Sequence, residues 1–362
     1  MAESRLTIRG LRVRTVEVPM PHPHRTASGT ITSSPLVLTD LLTDEGPVGS
    51  SYVFCYTALA LKPTALLLQG LEPVLVGQPV APLELERQLA GRFRLLGAQG
   101  LTGIALSAID MAAWDALARA HDLPLVRLLG AEPRPVRMYG SVGYDGADGS
   151  AREAAGWAER GVTGVKAKIG YPDVREDLAV IRAIRRAAGD EMAVMVDYNQ
   201  SLTPVEAIER ARRLDDEGLT WIEEPTRAED YAGMAEVARA ASTPIQAGEN
   251  WWGPQELAKA IAAGASDHVM PDAMKIGGVT GWQRAAAIAA STGRLVSSHL
   301  FVEVSTHLLG ATPTAHWLEY ADWFNPVIAE PLRIVDGFAV PDDRPGSGIE
   351  WNEDAVARYA VT

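Results

Sequence analysis

GVKAKIGYPDVREDLAVIRAIRRAAGDEMAVMVDYNQS, residues 164–201, holds one complete repeat of the pattern that decides the fold. A short apolar run, a polar glycine-containing loop and an amphipathic segment lead into a second apolar run ending at Asp197. The unit recurs on both sides. After Pro135 there are eight such runs, at 137–142, 164–169, 193–197, 220–223, 244–247, 267–270, 294–298 and 316–319, with seven helical segments between them. Repeats of roughly 20 to 30 residues with short connections predict a (β/α)7β, TIM-like barrel over residues 133–325. A doubly wound open sheet is the rival, but it rarely sustains eight units.

Upstream of the repeats the pattern is different. Residues 5–18 alternate apolar and polar in the manner of a strand, and 35–42 with 47–54 predict a hairpin across Asp44-Glu45-Gly46-Pro47. From Leu61 the spacing becomes helical, with a long segment at 103–121 stopped by Asp122-Leu123-Pro124. Residues 1–132 therefore read as an α+β capping domain, and the turn-rich residues 326–362 as a tail returning to it.

Composition narrows the function. Of 362 residues, 47% are hydrophobic and 22% charged, which suits a globular chain with a sizeable core. The net charge of −13 argues against nucleic acid, because phosphate binding needs clustered Lys and Arg. A small anion remains acceptable, since a cation can reverse the local sign. Cys55 stands alone, excluding an internal disulfide or a cysteine metal cluster. MAESRLTIRG lacks the features of a secretory signal, and no run approaches a bilayer span, so the expectation is a cytoplasmic protein away from membranes.

In TIM barrels the chemistry lies where strands end. The second run ends Val165-Lys166-Ala167-Lys168, and alternation sends both lysines to one side. Two neighbouring ammonium groups lower each other's pKa, and burial adds to the effect, so a lysine base is expected; a solvated pair is the bland alternative. The next ends supply Asp197, Glu223 and Glu249, 26 residues apart each time. Three converging carboxylates repel unless a cation sits among them, and an all-oxygen set suits Mg²⁺ better than Zn²⁺. Asn199, two residues beyond Asp197, adds a neutral hydrogen-bonding group. Asp272 and His299 lie 27 residues apart on adjacent strands, the arrangement of a carboxylate that fixes an imidazole as a second acid/base. Glu319 ends the eighth run; protonated by desolvation, it would donate to a substrate carboxylate. A metal with a base on either face implies 1,1-proton transfer beside a carboxylate through an ene-diolate, chemistry the enolase superfamily already exemplifies.

The residues that build this set resemble the mandelate racemase and muconate lactonizing enzyme family of the enolase superfamily. The resemblance rests on VKAKIG (165–170), VDYNQS (196–201), WIEEPT (221–226), QAGENWWGP (246–254), MPDAMKIGGVTGW (270–282) and SSHLF (297–301). It extends to IDMAAWDALARAH (109–121) and ATPTAHWLE (311–319), nearly the whole chain. It implies that Asp197, Glu223 and Glu249 hold Mg²⁺, that Lys168 serves the S enantiomer, and that His299 with Asp272 serves the R enantiomer. Lys166 and Glu319 would meet the substrate carboxylate, with Asn199 and Ser141 near the substrate. The family's cap loops choose the substrate; here they are residues 21–31 and the loop around Tyr56. His24, Arg25 and Ser28 make this flap polar, where a mandelate site is lined by small aliphatic side chains. The resemblance implies a 2-hydroxy-acid racemase acting on mandelate or an aryl relative, with an acid-sugar dehydratase as the alternative and a non-catalytic binding barrel as the bland one. It also implies a homo-oligomer, with an octamer as the expected assembly.

Overall fold

The computed structural model describes residues 6–26 and 29–361. Strands β1 (Ile8–Thr26), β2 (Gly29–Thr43) and β3 (Val48–Phe54) form an antiparallel meander. The expected hairpin is present, pairing Leu42 with Val48 and Leu36 with Phe54. β1 runs well past residue 18, through a register shift between Pro19 and His24, where prolines cannot donate to the ladder. The extended tip meets the barrel, with the Tyr144 N–H donating to the Arg25 carbonyl at 2.9 Å.

Helices α1 (Ala58–Leu75), α2 (Pro82–Arg92), α3 (Gly100–Ala120) and α4 (Leu125–Leu128) complete the cap. The reading that no run approaches a bilayer span needs correction: α3 is long and apolar enough, but 78% of its window is buried inside the protein. It is apolar all round because it is a core helix, packed on β3 and against the barrel.

The barrel strands are β4 (Val136–Val142), β5 (Gly164–Lys168), β6 (Ala193–Asp197), β7 (Ile222–Glu223), β8 (Ile245–Ala247), β9 (His268–Val269), β10 (Leu295–Val296) and β11 (Leu318–Tyr320). Between them run α5 (Gly146–Glu159), α6 (Val174–Ala188), α7 (Pro204–Leu214), α8 (Tyr231–Ala240), α9 (Gly253–Ala263), α10 (Gly278–Ser291) and α11 (Val302–Gly310). β4 to β10 pair in sequence order, all parallel, and β11 pairs with β4. The Ser298 N–H donates to the Trp317 carbonyl at 3.0 Å, so the sheet closes and the open-sheet rival falls. Strands covered on both faces read as unbroken apolar runs, and β5 is buried at every position. Capping boxes start two helices, Asp173 with Glu176 on α6 and Thr203 with Glu206 on α7.

Inside the barrel, Tyr139, Met195, Trp221 and Trp317 pack as one cluster. Each lies two residues before Ser141, Asp197, Glu223 or Glu319, on the same inward face one layer lower. The site thus rests on an aromatic floor. In the tail, β12 (Arg333–Val335) and β13 (Phe338–Val340) add antiparallel to β4, followed by α12 (Glu353–Arg358). The final residues reach the cap, where the Glu17 N–H donates to the Tyr359 carbonyl and the Val361 N–H to the Thr15 carbonyl, each at 2.9 Å.

Candidate active site

Strand register assembles the site. Lys168 pairs with Asp197 and Asp197 with Glu223 across β5, β6 and β7, while Glu249 follows β8 by two residues. Each of Asp197, Glu223 and Glu249 offers an oxygen within 4.8 Å of the others. Their remaining oxygens are held by the protein. Asp197 accepts from the Asn199 N–H at 2.7 Å, Glu223 from Trp221 Nε1 at 3.0 Å, and Glu249 from Asn250 Nδ2 at 3.1 Å. Glu249 Oε2 makes no hydrogen bond, although His299 Nε2 lies 3.3 Å away.

The backbone is strained where these groups emerge. Among the described residues, eight non-glycines have positive φ; Asn199, Gln200, Glu224, Leu300 and Phe301 lie one to three residues after Asp197, Glu223 or His299, and Tyr56 faces them from the cap. Such conformations cost about 1–3 kcal/mol each and persist where the surroundings impose them.

Both lysines point inward as the alternation requires. Lys168 Nζ lies 2.5 Å from Asp197 Oδ2; Lys166 pairs with Glu223, lies 2.9 Å from Glu319 Oε1 and 3.6 Å from Asp197. Two electrostatic expectations are overturned. Burial and Lys166 lower the pKa of Lys168, but Asp197 and the other carboxylates outweigh them and raise it. Burial likewise favours a protonated Glu319, yet Lys166, His299 and Lys168 together hold its pKa down to about 2. The lysines act as counter-ions to the carboxylates that surround them.

His299 Nδ1 lies 2.6 Å from Asp272 Oδ2, while Asp272 Oδ1 accepts the Met274 and Lys275 N–H groups at 2.7 and 3.0 Å. The carboxylate is fixed by backbone, so it fixes the ring in turn, with hydrogen on Nδ1 and Nε2 facing Glu249 and Glu319. Lys168 therefore approaches the triad from the Asp197 side and His299 from the Glu249 side.

Six buried carboxyl groups, Asp197, Glu223, Glu224, Glu249, Asp272 and Glu319, face three buried lysines, Lys166, Lys168 and Lys275. Desolvation, reinforced by neighbouring carboxylates, pushes Glu223 and Glu224 well above the usual range. Excess negative charge, oxygen-only donors and a Glu249 oxygen without a hydrogen bond make a site able to hold a hard divalent cation.

The substrate-side residues divide. Ser141 pairs with Lys166 in the sheet register, and with His24 it lines a pocket of about 350 Å³ shared with Glu153, Trp157, Arg160 and Trp323. His24 is buried against Trp323, ring centroids 4.8 Å apart. Burial and Lys168 lower its pKa to about 3, so it is a neutral donor and acceptor. Arg25 instead turns to a surface pair with Asp145 at 3.2 Å. Ser28 lies outside the described residues. Asn199 is committed to Asp197 through its N–H and through Nδ2 at 3.2 Å, which leaves only Oδ1 without a partner. Tyr56 stands at the cap edge, its ring 4.7 Å from Lys275 Nζ.

Sequence reasoning missed Glu224, Asn250, Lys275 and Trp323. Glu224 and Asn250 neighbour metal-type carboxylates, and Lys275 lies three residues after Asp272, so adjacency was the available signal. Trp323 carries none, since it follows the last barrel strand.

Comparison with known proteins agrees with this fold. Residues 149–355 match the family described as enolase C-terminal domain-like, and residues 9–130 match the mandelate racemase / muconate lactonizing enzyme N-terminal domain. The L-talarate/galactarate dehydratase of Salmonella typhimurium is 38% identical over 72% of this chain and 66% of its own length, just under two thirds. The D-galactarolactone cycloisomerase of Agrobacterium fabrum is 32% identical over 98% of this chain and 99% of its own. The crystal structure of an enolase from Bradyrhizobium, complexed with magnesium and mandelic acid, superposes with a TM-score of 0.96 at 45% identity, covering 100% of both chains. The chain belongs to the enolase superfamily, with the N- and C-terminal domains of the mandelate racemase and muconate lactonizing enzyme type.

Proposed function

We propose that the chain is a Mg²⁺-dependent racemase of a 2-hydroxy acid, working by proton transfer between the two faces of the carbon beside the carboxylate. The observation that carries this is the pairing of two bases with one carboxylate triad, Lys168 beside Asp197 and His299 beside Glu249. In this reading residues 1–132 form the cap, 133–325 the catalytic barrel and 326–362 the tail, in a cytoplasmic homo-oligomer.

Asp197, Glu223 and Glu249 are the residues that would hold Mg²⁺. Bound there, the cation would supply positive charge that stabilises negative charge developing on the substrate. Lys168, beside Lys166 on β5, is the residue that would accept the α-proton from one face, as the free amine, when Mg²⁺ rather than the ammonium neutralises Asp197. His299, oriented by Asp272, returns a proton to the other face, and the roles reverse for the opposite enantiomer. Lys166 and Glu319, 2.9 Å apart at the same rim, flank the substrate carboxylate, with the Lys166 ammonium donating to it. Ser141, Asn199, Tyr56 and His24 surround the rest of the substrate.

An aryl acid such as mandelate draws support from Trp323 in the pocket lining and from the Bradyrhizobium relative, which is complexed with that acid. A second reading, acid-sugar dehydration with the same two bases, draws on the Salmonella dehydratase and on the polar outer pocket at His24, Ser141, Glu153 and Arg160. Polarimetry of (R)- and (S)-mandelate with Mg²⁺ or with EDTA, run beside a 2-keto-acid assay on acid sugars, separates them. Mg²⁺-dependent loss of rotation supports racemisation; a 2-keto-3-deoxy product with no racemisation overturns it in favour of dehydration.

A further inference from the structure

Asn250 lies in a chain of contacts that crosses from barrel to cap. Its Nδ2 donates to Glu249 Oε1 at 3.1 Å and to Glu224 Oε2 at 2.8 Å, while its Oδ1 accepts from Lys275 Nζ at 2.6 Å. An ammonium only donates, so Lys275 dictates which end of the amide faces it and leaves both amide hydrogens for the two carboxylates. Glu249 is thereby held by Oε1, and its Oε2, which has no hydrogen bond and lies 3.3 Å from His299 Nε2, is the oxygen that faces a cation. The same Lys275 Nζ lies 4.7 Å from the centroid of the Tyr56 ring, a cation–π contact with a cap residue in the left-handed conformation, φ 57°. Lys275 is itself nearly buried, and its N–H is fixed by Asp272 at 3.0 Å. No other lysine among the described residues has both a cap ring and a metal-side amide as partners.

We infer that Lys275 is a positioning residue that couples the seating of the Tyr56 loop to the grip on a divalent cation, by locking the Asn250 amide onto Glu249. The inference rests on the metal reading above. Coupling of this kind is reciprocal: the seated loop tightens cation binding, and the cation orders the loop. Lys275 touches neither reacting atoms nor the cation, so its loss acts through Asn250.

The test is Mg²⁺ titration by calorimetry without substrate, on the wild type, Lys275→Met, Lys275→Arg and Tyr56→Leu. Hydrogen exchange of the segment around Tyr56 is followed with and without Mg²⁺. Losing an outer partner of a metal ligand typically weakens affinity about 10- to 100-fold, and that loss is expected for Lys275→Met. Lys275→Arg keeps a donor and a cation over the ring and retains most of the affinity. Mg²⁺ slows exchange at the Tyr56 segment in the wild type and not in Lys275→Met. Equal Mg²⁺ affinity in the wild type and Lys275→Met, or protection that survives the substitution, overturns the coupling. If Lys275→Met does not fold, Tyr56→Leu decides: weaker Mg²⁺ binding supports the inference and unchanged binding overturns it. A wild type that binds no Mg²⁺ overturns the metal reading itself, a result distinct from failure of the coupling.

Discussion

Replacing Asp110 with Asn removes a carboxyl buried between cap and barrel. Asp110 is 5% exposed; Oδ2 accepts the Thr280 N–H at 3.0 Å in the first turn of α10, and Oδ1 has no partner. Burial, only partly offset by the hydrogen bonds from Thr280, pushes its pKa from 3.8 up to about 7. The folded chain then holds this proton more tightly than the unfolded one. The stability it contributes is complete below pH 3.8 and is lost as pH rises to about 7. A shift of about three units at ~1.36 kcal/mol each amounts to ~4 kcal/mol, of which about 2 kcal/mol is lost between pH 5.5 and 7.5. Asn cannot titrate. Urea unfolding of both proteins, followed by circular dichroism across that range, measures the difference directly. The stability of Asp110→Asn relative to wild type rises by about 2 kcal/mol with pH and flattens above about pH 8. Exchanging an unpartnered oxygen for an amide adds only a constant offset. A difference that stays level, or falls as pH rises, refutes the reasoning.

The same junction is sensitive from the other side. A Cβ at Gly278 would lie 2.3 Å from Asp110 Oδ2, and the residue has φ 69°, so Gly278→Ala loses about 1–3 kcal/mol in an unfolding titration. Asp272→Asn leaves the imidazole without the acceptor that fixes its Nδ1 hydrogen; turnover falls by about 10²–10⁴-fold while Mg²⁺ affinity, read by calorimetry, stays as in the wild type. His24→Val replaces a buried neutral imidazole beside Trp323 with an apolar group. It raises kcat/KM for an aryl 2-hydroxy acid relative to a polyhydroxy acid by about tenfold, measured on both substrates in parallel.

The barrel was legible because its strands are covered on both faces, so each appears as an unbroken apolar run, with a carboxylate or lysine where the run meets the site. The 26-residue spacing of Asp197, Glu223 and Glu249 is one strand-helix unit, and register turns it directly into proximity. The membrane question for α3 was not legible from the sequence, since a helix buried inside a protein and one in a bilayer share a composition; only its neighbours distinguish them. Charge states also escaped. Mutual repulsion between Lys166 and Lys168 is visible in the sequence, but the carboxylates that overrule it come from β6, β7 and β11. His24 and Arg25 are adjacent yet opposite in fate, one buried on Trp323 and the other paired with Asp145, because a strand sends neighbours to opposite faces. Glu224, Asn250 and Lys275 needed the fold, since their meeting joins three different strand ends.

Two bases serving one metal site from two sides can be separated by ¹H NMR in D₂O with Mg²⁺, following the α-proton of each mandelate enantiomer with the wild type, Lys168→Ala and His299→Ala. The wild type is expected to exchange the α-proton of both enantiomers without forming other products. Each variant is predicted to lose racemisation while keeping exchange on one enantiomer only, R for Lys168→Ala and S for His299→Ala. Equal loss of exchange on both enantiomers in both variants, or a wild type that exchanges neither, would contradict it.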